Sequence, residues 1–278
     1  MAKVFHLYTQ EGHALIFRDD EDFTVGWNAL VIAAYLAGVT IYCFCLMSNH
    51  IHVLVQGEDG AVREFFFKYK NLIGRHLSKK YGDSGVNGLK VNLTEITDRN
   101  SFVQEVSYIL RNPLKAGIDT PWTYRWSSCM AYFNERTDKG TRIGALSSRE
   151  LMLAMKSKVI LPDHYLIDDG LISLKSFIPY HVVESRFNKS RIEFYRMITK
   201  WNLEDIVEEK HGKEIVEGYT DSDIMDYLRS SYGAFDPQNL ESKRKFRFIR
   251  DVRNRFGASR KQLMRIFDVE DSILDQLL

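Results

Sequence analysis

The stretch Leu46-Met47-Ser48-Asn49-His50-Ile51-His52-Val53-Leu54-Val55 decides how the rest of the chain is interpreted. Side chains alternate between the faces of a β-strand, so His50 and His52 point one way while Ile51 and Val53 point into the opposite layer. The flanking residues are those that a buried strand uses. Because neutral imidazole is a common ligand of divalent metals, the pair is a candidate half-site for a metal. Two ordinary hydrogen-bonded strand histidines are the alternative at this stage.

The composition is that of a globular protein from a reducing compartment. The 278 residues are 45% hydrophobic and 13% aromatic, enough to bury a large core and to form two domains. The three cysteines make no disulfide framework. Cys43 and Cys45 are either a metal pair or small hydrophobic strand residues, and the second interpretation is favoured because no other cysteine pair lies nearby. The sequence has no apolar run typical of a signal peptide or a membrane span, so we expect a soluble, cytoplasmic protein without a membrane partner.

The net charge of +1 hides a strongly basic segment near the end of the chain. The segment from Pro237 to Arg265 contains ten basic residues and only two acidic ones. Positive charge concentrated in one segment is typical of proteins that bind polyanions, although a solvated helix face is the common alternative.

The apolar pattern of the first hundred residues alternates between strand and helix periods. The order is strand, helix, strand, strand, helix, strand, which is the split βαβ pattern of a ferredoxin-like fold. The predicted fold class is therefore α+β, with an antiparallel sheet, helices on one face and the histidine pair on a central strand. A further short strand is predicted at Ala14–Phe17, paired with the first across a Glu11–Gly12 turn. The main strands are predicted at Phe5–Thr9, Val39–Met47, His50–Gln56 and Leu89–Ile96.

A third helix is predicted from Ser101 to Asn112. Ser101-x-x-Gln104 is a candidate capping box, and Pro113 disfavours helical conformation in the residue before it. Tyr108 lies roughly 120 to 140° from the middle of the apolar stripe, with Asn112 beside it at i+4. A core tyrosine fits this position poorly, and a tyrosine and an amide on the flank of a helix indicate a site. The apolar stripe consists of Phe102, Val106, Ile109 and Leu110.

The second half of the chain is predicted to be a linker at 135–180 and a helical domain at 181–278 that ends in a helix-turn-helix-like pair. The last helix is acidic and repels phosphates, so if this domain binds DNA, the contact is assigned to the basic residues before it. Protein contact by the last helix is the competing interpretation. The assigned residues are Lys243, Arg244, Arg247, Arg250, Arg260 and Lys261. Helices are predicted at Ser148–Lys156, Val182–Trp201, Leu203–Glu209, Asp221–Tyr232, Leu240–Phe256, Ser259–Phe267 and Asp271–Leu277.

Three motifs in this order resemble the REP-associated tyrosine transposases, which belong to the single-tyrosine branch of the HUH endonuclease superfamily. The similarity extends from about Phe5, through Phe17-x-Asp19, to about Tyr132, and so defines a predicted HUH domain at 1–134. The motifs are Met47-Ser48-Asn49-His50-Ile51-His52-Val53-Leu54-Val55, Tyr108-Ile109-Leu110-Arg111-Asn112-Pro113-Leu114-Lys115-Ala116-Gly117 and Pro121-x-x-Tyr124-x-Trp126-Ser127-Ser128.

The resemblance implies a metal-dependent attack on single-stranded or hairpin DNA. His50, His52 and, as third ligand, Asn112 would hold Mg²⁺ or Mn²⁺, and Tyr108 would be the nucleophile that forms a 5′-phosphotyrosine. The covalent link conserves the phosphodiester energy, so no ATP is implied. Arg111 and Lys115 flank the tyrosine and are either phosphate contacts or solvated helix-end cations.

Two other functions stay open at this stage. One is a metal-dependent hydrolase that uses water as nucleophile, and the other is a domesticated, non-catalytic DNA-binding or regulatory protein. A monomer and a homodimer both fit, since relatives with exchanged helices occur in this family. Bound to DNA, the protein would be associated with the nucleoid.

Overall fold

The computed structural model describes residues 2–9, 15–82, 86, 89–135, 139–200, 219, 221–233, 235–256, 258 and 260–277. Several sequence-based predictions lie outside these residues. They are the Glu11–Gly12 turn, the Leu203–Glu209 helix, Ser259 as a helix start and the side chain of Lys261.

The first part of the chain forms the predicted alternation of strands and helices. Asp19 caps the first helix by accepting from the Asp22 N–H, and Gly38 ends it with φ +66°, a conformation that favours glycine. The elements are β1 (Lys3–Thr9), α1 (Asp20–Ala37), β2 (Thr40–Leu46), β3 (Ile51–Gly57), α2 (Asp59–Tyr81), β4 (Val91–Ile96) and α3 (Arg99–Lys115).

The four strands form one antiparallel sheet in the order β2-β3-β1-β4. The predicted α+β class is confirmed, and β3 is a central strand. Helices α1 and α2 pack together on one face, where Trp27 meets Phe44 edge to face at 4.8 Å. The opposite face is covered by α3, whose Glu105 reaches His6 of β1. A bulge at Tyr42 resets the alternation of β2 between these faces.

The predicted strand at Ala14–Phe17 is wrong. Both edges of β1 are already paired, with β3 on one side and β4 on the other, so the segment has no edge to join. Residues 15–17 are instead a buried loop, and the N–H groups of Ile16 and Phe17 donate to the Ser48 carbonyl at 2.7 and 2.9 Å. The segment therefore secures the turn that precedes His50.

The predicted start of α3 at Ser101 is also wrong. Asp98 is the N-cap, and its carboxylate accepts from the N–H groups of Asn100 and Ser101. An aspartate satisfies the first amides of a helix as well as serine does, and here it lies one turn earlier.

The predicted end of α3 before Pro113 is wrong as well, since the helix continues to Lys115. Proline has no N–H to donate to the carbonyl four residues earlier, which is that of Ile109. The side-chain amide of Asn112 donates to this carbonyl at 3.3 Å and to the Tyr108 carbonyl at 3.0 Å. Asn112 thus replaces the bond that Pro113 removes.

The region after α3 adds small elements to the same core. The helix predicted at Val182–Trp201 is divided in two, because Asn188 and Lys189 adopt left-handed φ values of +55° and +54°. The elements are β5 (Thr141–Arg142), α4 (Ser148–Met155), β6 (Leu166–Asp168), β7 (Leu171–Ile172), α5 (Leu174–Phe177), α6 (Tyr180–Arg186) and α7 (Arg191–Thr199).

Four further helices build a second core that contains residues from Ile224 to Leu274. The first core runs from Phe5 to Ile198, so residues such as Ile172 of the predicted linker belong to it. In the described ranges, no helix has the length and apolar character needed to cross a membrane. The helices of the second core are α8 (Asp221–Tyr232), α9 (Ser242–Phe256), α10 (Arg260–Phe267) and α11 (Asp271–Leu277).

The second core is joined to the first through buried polar contacts near the histidine turn. The Ser48 hydroxyl donates to Asp221 at 2.6 Å, and Arg265 donates to the same carboxylate through two nitrogens at 3.1 and 3.2 Å. At the start of α1, Arg229 donates to Asp19 at 2.7 Å. These contacts hold the C-terminal helices next to the turn between β2 and β3, where the histidine motif begins.

Candidate active site

The two histidines of the motif lie at the start of β3. His50 immediately precedes the strand and His52 is its second residue. Their rings are perpendicular, with centroids 5.0 Å apart, and both side chains are buried. The Thr9 hydroxyl accepts from the Ile51 N–H at 3.1 Å, which holds the beginning of β3 against β1. The two rings are therefore adjacent, as the alternation of the strand predicts, and their role as metal ligands stays a prediction.

The neighbouring Asn49 fixes the tautomer of His50. The Nδ1 atom of His50 lies 2.8 Å from Oδ1 of Asn49. An amide oxygen only accepts hydrogen bonds, so Nδ1 carries the proton and Nε2 keeps its lone pair. This is the form in which a neutral histidine can ligate a metal.

A third histidine, which the sequence analysis missed, contacts the pair. His6 of β1 places Nε2 3.0 Å from Nδ1 of His52, and its own Nδ1 lies 2.9 Å from a carboxylate oxygen of Glu105 on α3. The sequence gives only a weak signal for His6 and Glu105 as site residues. His6 shares one face of β1 with Tyr8, and Glu105 lies one turn before Tyr108 on α3. Only the register between β1 and β3, with Tyr8 opposite His52, brings these residues together.

Two tyrosines border His52. The ring of Tyr108 is perpendicular to the His52 ring at a centroid distance of 5.5 Å, and 37% of Tyr108 is exposed. The ring of Tyr8 is stacked on His52 at 6.0 Å. The predicted apolar stripe of α3 is buried, so its flank does present Tyr108 beside the histidines. Tyr8 is a second tyrosine that sequence reasoning did not find.

Asn112 is joined to the site through Tyr108. Its amide nitrogen donates to the backbone carbonyls of Tyr108 and Ile109, as described for the helix. These bonds direct the nitrogen at the helix backbone and identify Oδ1 as the atom that can act as a ligand. Asn112 is buried, in contrast to Tyr108.

Burial keeps His52 neutral. Removal from water, together with the neighbouring His50 and His6, lowers the pKa of His52 from 6.5 to about 2. A neutral imidazole is the species that binds a metal.

Of the three predicted ligands, the structure places His50 and His52 side by side, while Asn112 lies on α3 with its amide nitrogen bonded to the helix backbone. Across the residues described, no three side chains of the types His, Cys, Asp and Glu are grouped so as to hold a metal ion. His6 does not extend the pair because its nitrogens face His52 and Glu105. An amide or water oxygen would therefore have to complete a site built on His50 and His52.

The cysteines are separate from this chemistry. Cys43, Cys45 and Cys129 are all buried, and burial raises the pKa of each thiol, that of Cys129 to about 12. They are protonated, small apolar residues, as favoured from the sequence.

The third motif contacts β2, the strand that leads into the histidine turn. The Tyr124 hydroxyl donates to the Leu46 carbonyl at 2.8 Å, and the Trp126 carbonyl accepts from the Leu46 N–H at 2.9 Å. The Ser128 hydroxyl accepts from the Phe44 N–H at 2.9 Å. These residues hold β2 and the turn that leads to His50.

The cations predicted to contact DNA have different surroundings. Arg111 donates to the Lys200 carbonyl, and Lys115 is exposed near the end of α3. Arg260 forms ion pairs with Asp271 at 2.8 Å and Asp275 at 2.6 Å. These pairs partly neutralise the acidic last helix. Three exposed cations of α9, Lys243, Arg247 and Arg250, lie opposite its buried residues. Arg244 is also exposed, but its guanidinium lies over the rings of Phe235 and Phe248.

The first part of the chain is an antiparallel α+β domain in which the rings of two buried histidines and of Tyr108 lie close together. No protein-family model matches the chain, and no curated protein matches it in sequence. Among solved structures, it is similar to a REP-associated tyrosine transposase bound to a REP hairpin. That similarity has 12% sequence identity and a TM-score of 0.35, and it covers 46% of this chain and 75% of the other.

Proposed function

We propose that this protein is a metal-dependent, single-strand DNA endonuclease and strand transferase that forms a 5′-phosphotyrosine through Tyr108. The observation that carries the proposal is the position of the Tyr108 ring, 5.5 Å from His52, whose ring lies 5.0 Å from that of His50. A nucleophile and a pair of metal-binding imidazoles are what transesterification of a phosphodiester needs in one place. The three motifs of the sequence support the same assignment.

His50 and His52 are suited to hold a divalent metal, Mg²⁺ or Mn²⁺, through Nε2. The Asn49 contact leaves that atom of His50 unprotonated, and Oδ1 of Asn112 is suited to be the third ligand. The bound metal would supply Lewis-acid polarisation of the scissile phosphate.

The remaining chemistry belongs to Tyr108. Its phenolic oxygen attacks phosphorus, a Tyr108–phosphate bond forms, and the bond from phosphorus to the 3′-oxygen breaks. The proton lost by the phenol is balanced by the proton that the departing 3′-oxygen gains. Attack by the 3′-hydroxyl of another strand reverses these steps and restores the tyrosine, so no nucleotide cofactor is consumed.

The exposed cations of α9 would contribute phosphate contacts outside the site. Lys243, Arg247 and Arg250 follow one another at spacings of four and three, which places them on one side of the helix. Such contacts would bind the duplex stem of a hairpin without reading its sequence. Replacing all three by glutamine should therefore weaken hairpin binding and reduce its salt dependence.

The test is incubation with Mn²⁺ and a pool of labelled hairpin oligonucleotides that carry single-stranded flanks, followed by a denaturing gel. We expect a covalent protein–DNA band that is lost in Tyr108→Phe and in His50→Ala. Tyr8→Phe is the matched control, because Tyr8 also borders His52. It should keep the band.

Three results would contradict the proposal. A band lost in Tyr8→Phe and retained in Tyr108→Phe would assign the nucleophile to β1. Cleavage that survives both substitutions would indicate a hydrolase that uses water. Salt-sensitive binding without cleavage, across a pool that includes the genomic hairpins of the source organism, would indicate a regulatory DNA-binding protein.

A further inference from the structure

The hydrogen bonds behind His52 form a chain that crosses three elements. Glu105 of α3 faces Nδ1 of His6 at 2.9 Å, and Nε2 of His6 faces Nδ1 of His52 at 3.0 Å. His6 and His52 are only 5% and 4% exposed, so water does not readily replace these partners. His52, a proposed metal ligand, thus has a defined hydrogen-bond partner at Nδ1, the ring nitrogen that is not proposed to bind the metal.

The direction of this chain follows from the donors and acceptors. An ionised carboxylate only accepts, so a His6 that carries one proton holds it on Nδ1, which faces Glu105. The Nε2 atom of His6 is then an acceptor, and the atom it faces, Nδ1 of His52, must be the donor. A neutral imidazole has one proton, so Nε2 of His52 keeps its lone pair.

We infer that Glu105 and His6 are positioning residues that hold His52 in the Nε2-ligand tautomer before any metal binds. The inference rests on the proposed function only in assuming that the Nε2 lone pair of His52 binds a metal. The tautomer itself is a property of the metal-free protein. Together with the Asn49 contact to His50, it means that both imidazoles of the motif are prepared in the same way. Partners behind a ligating histidine fix its ring and its tautomer and increase its basicity.

The first measurement is the tautomer of His52 in the metal-free protein, from ¹⁵N chemical shifts of labelled histidine at pH 8. We expect a protonated Nδ1 and an unprotonated Nε2 for His52 in the wild type. In His6→Phe the acceptor is lost while a ring remains, and the His52 signals should move toward the other tautomer. His6→Gln, which brings a carbonyl oxygen that can accept the same proton, should restore the wild-type pattern.

The second measurement is Mn²⁺ affinity, followed by the electron paramagnetic resonance signal of free Mn²⁺. Loss of a partner behind a ligating histidine costs roughly 10- to 100-fold in metal affinity, so His6→Phe should show a weakening in that range and His6→Gln a smaller one. Glu105→Gln should give a mixture of tautomers, since an amide can both accept and donate. Tyr8→Phe is the matched control on the same strand and should change neither readout.

The inference is overturned if His52 of the wild type is protonated at Nε2, or if His6→Phe keeps both the wild-type tautomer and the wild-type Mn²⁺ affinity. Thermal unfolding of each variant shows whether a changed readout comes from a folded protein. Failure of the proposed function has a different signature, because the wild type would then form no covalent DNA band while His52 still showed the expected tautomer.

Discussion

Acidification from pH 6.5 to pH 4.5 should destabilise the protein through His52. Burial lowers the pKa of this imidazole to about 2, whereas the ordinary value is 6.5. Between these values the unfolded chain binds a proton that the folded chain does not, so the free energy of unfolding falls as the pH falls. Linkage gives a loss of about 2.3 kcal/mol for this one group over that interval.

The assay is urea denaturation followed by circular dichroism at pH 6.5, 5.5 and 4.5, with a chelator present so that no metal contributes. His52→Gln should remove about 2.3 kcal/mol of the pH dependence. His181→Gln is the control, because 76% of that side chain is exposed. Asp19 does not contribute in this window, since its pKa is lowered from 3.8 and its effect is lost only at more acid pH.

Equal pH dependence in the wild type and in His52→Gln would refute the reasoning. It would mean that His52 takes up its proton in the folded state near the ordinary pKa, and that burial does not keep the imidazole neutral.

Three further pairs of substitutions separate structural from functional roles. Asp221→Ala removes the buried carboxylate that accepts from the turn serine and from the partly buried Arg265, and should cost about 3 kcal/mol of stability in urea denaturation. Asp223→Ala, at an exposed position of the same helix, should cost little. Gly26→Ala would bring a Cβ to 2.4 Å from a phenylalanine ring and should lower stability by about 1–3 kcal/mol, while Gly60→Ala meets no atom within 4 Å and should not destabilise the protein. Asn112→Asp keeps a ligand oxygen but loses the amide donors, so it should lower the melting temperature and retain Mn²⁺ binding. Asn112→Ala should lower the melting temperature and also weaken Mn²⁺ binding. Equal Mn²⁺ affinity in the two variants would contradict the ligand role.

The sequence was sufficient for features that depend on local periodicity. The strand around His50 and His52 is apolar and alternating, and the flank position of Tyr108 follows from the helical period of α3. The strand and helix order then restricts the sheet to a small set of topologies, of which the split βαβ arrangement is one. These features could be predicted because each is decided by residues a few positions apart.

The errors came from contacts between distant residues. The apolar composition of residues 15–17 favours a strand, and only the full sheet order shows that β1 has no free edge. Pro113 predicts the end of a helix, and the donor that replaces its missing N–H, the Asn112 side chain, is visible only in the folded helix. His6 and Glu105 are separated from His52 by dozens of residues, so their role depends on strand register.

The hydrogen bond between Ser48 and Asp221 bears on how this chain can recombine with others. A crossover in the stretch between the two cores would give the histidine turn a new C-terminal neighbour, and the Ser48 hydroxyl would be buried without its acceptor. The same exchange would separate Arg229 from Asp19 at the start of α1. A chimera that exchanges the residues on both sides of these contacts together keeps the bonds, whereas one that exchanges a single core loses them and should be less stable.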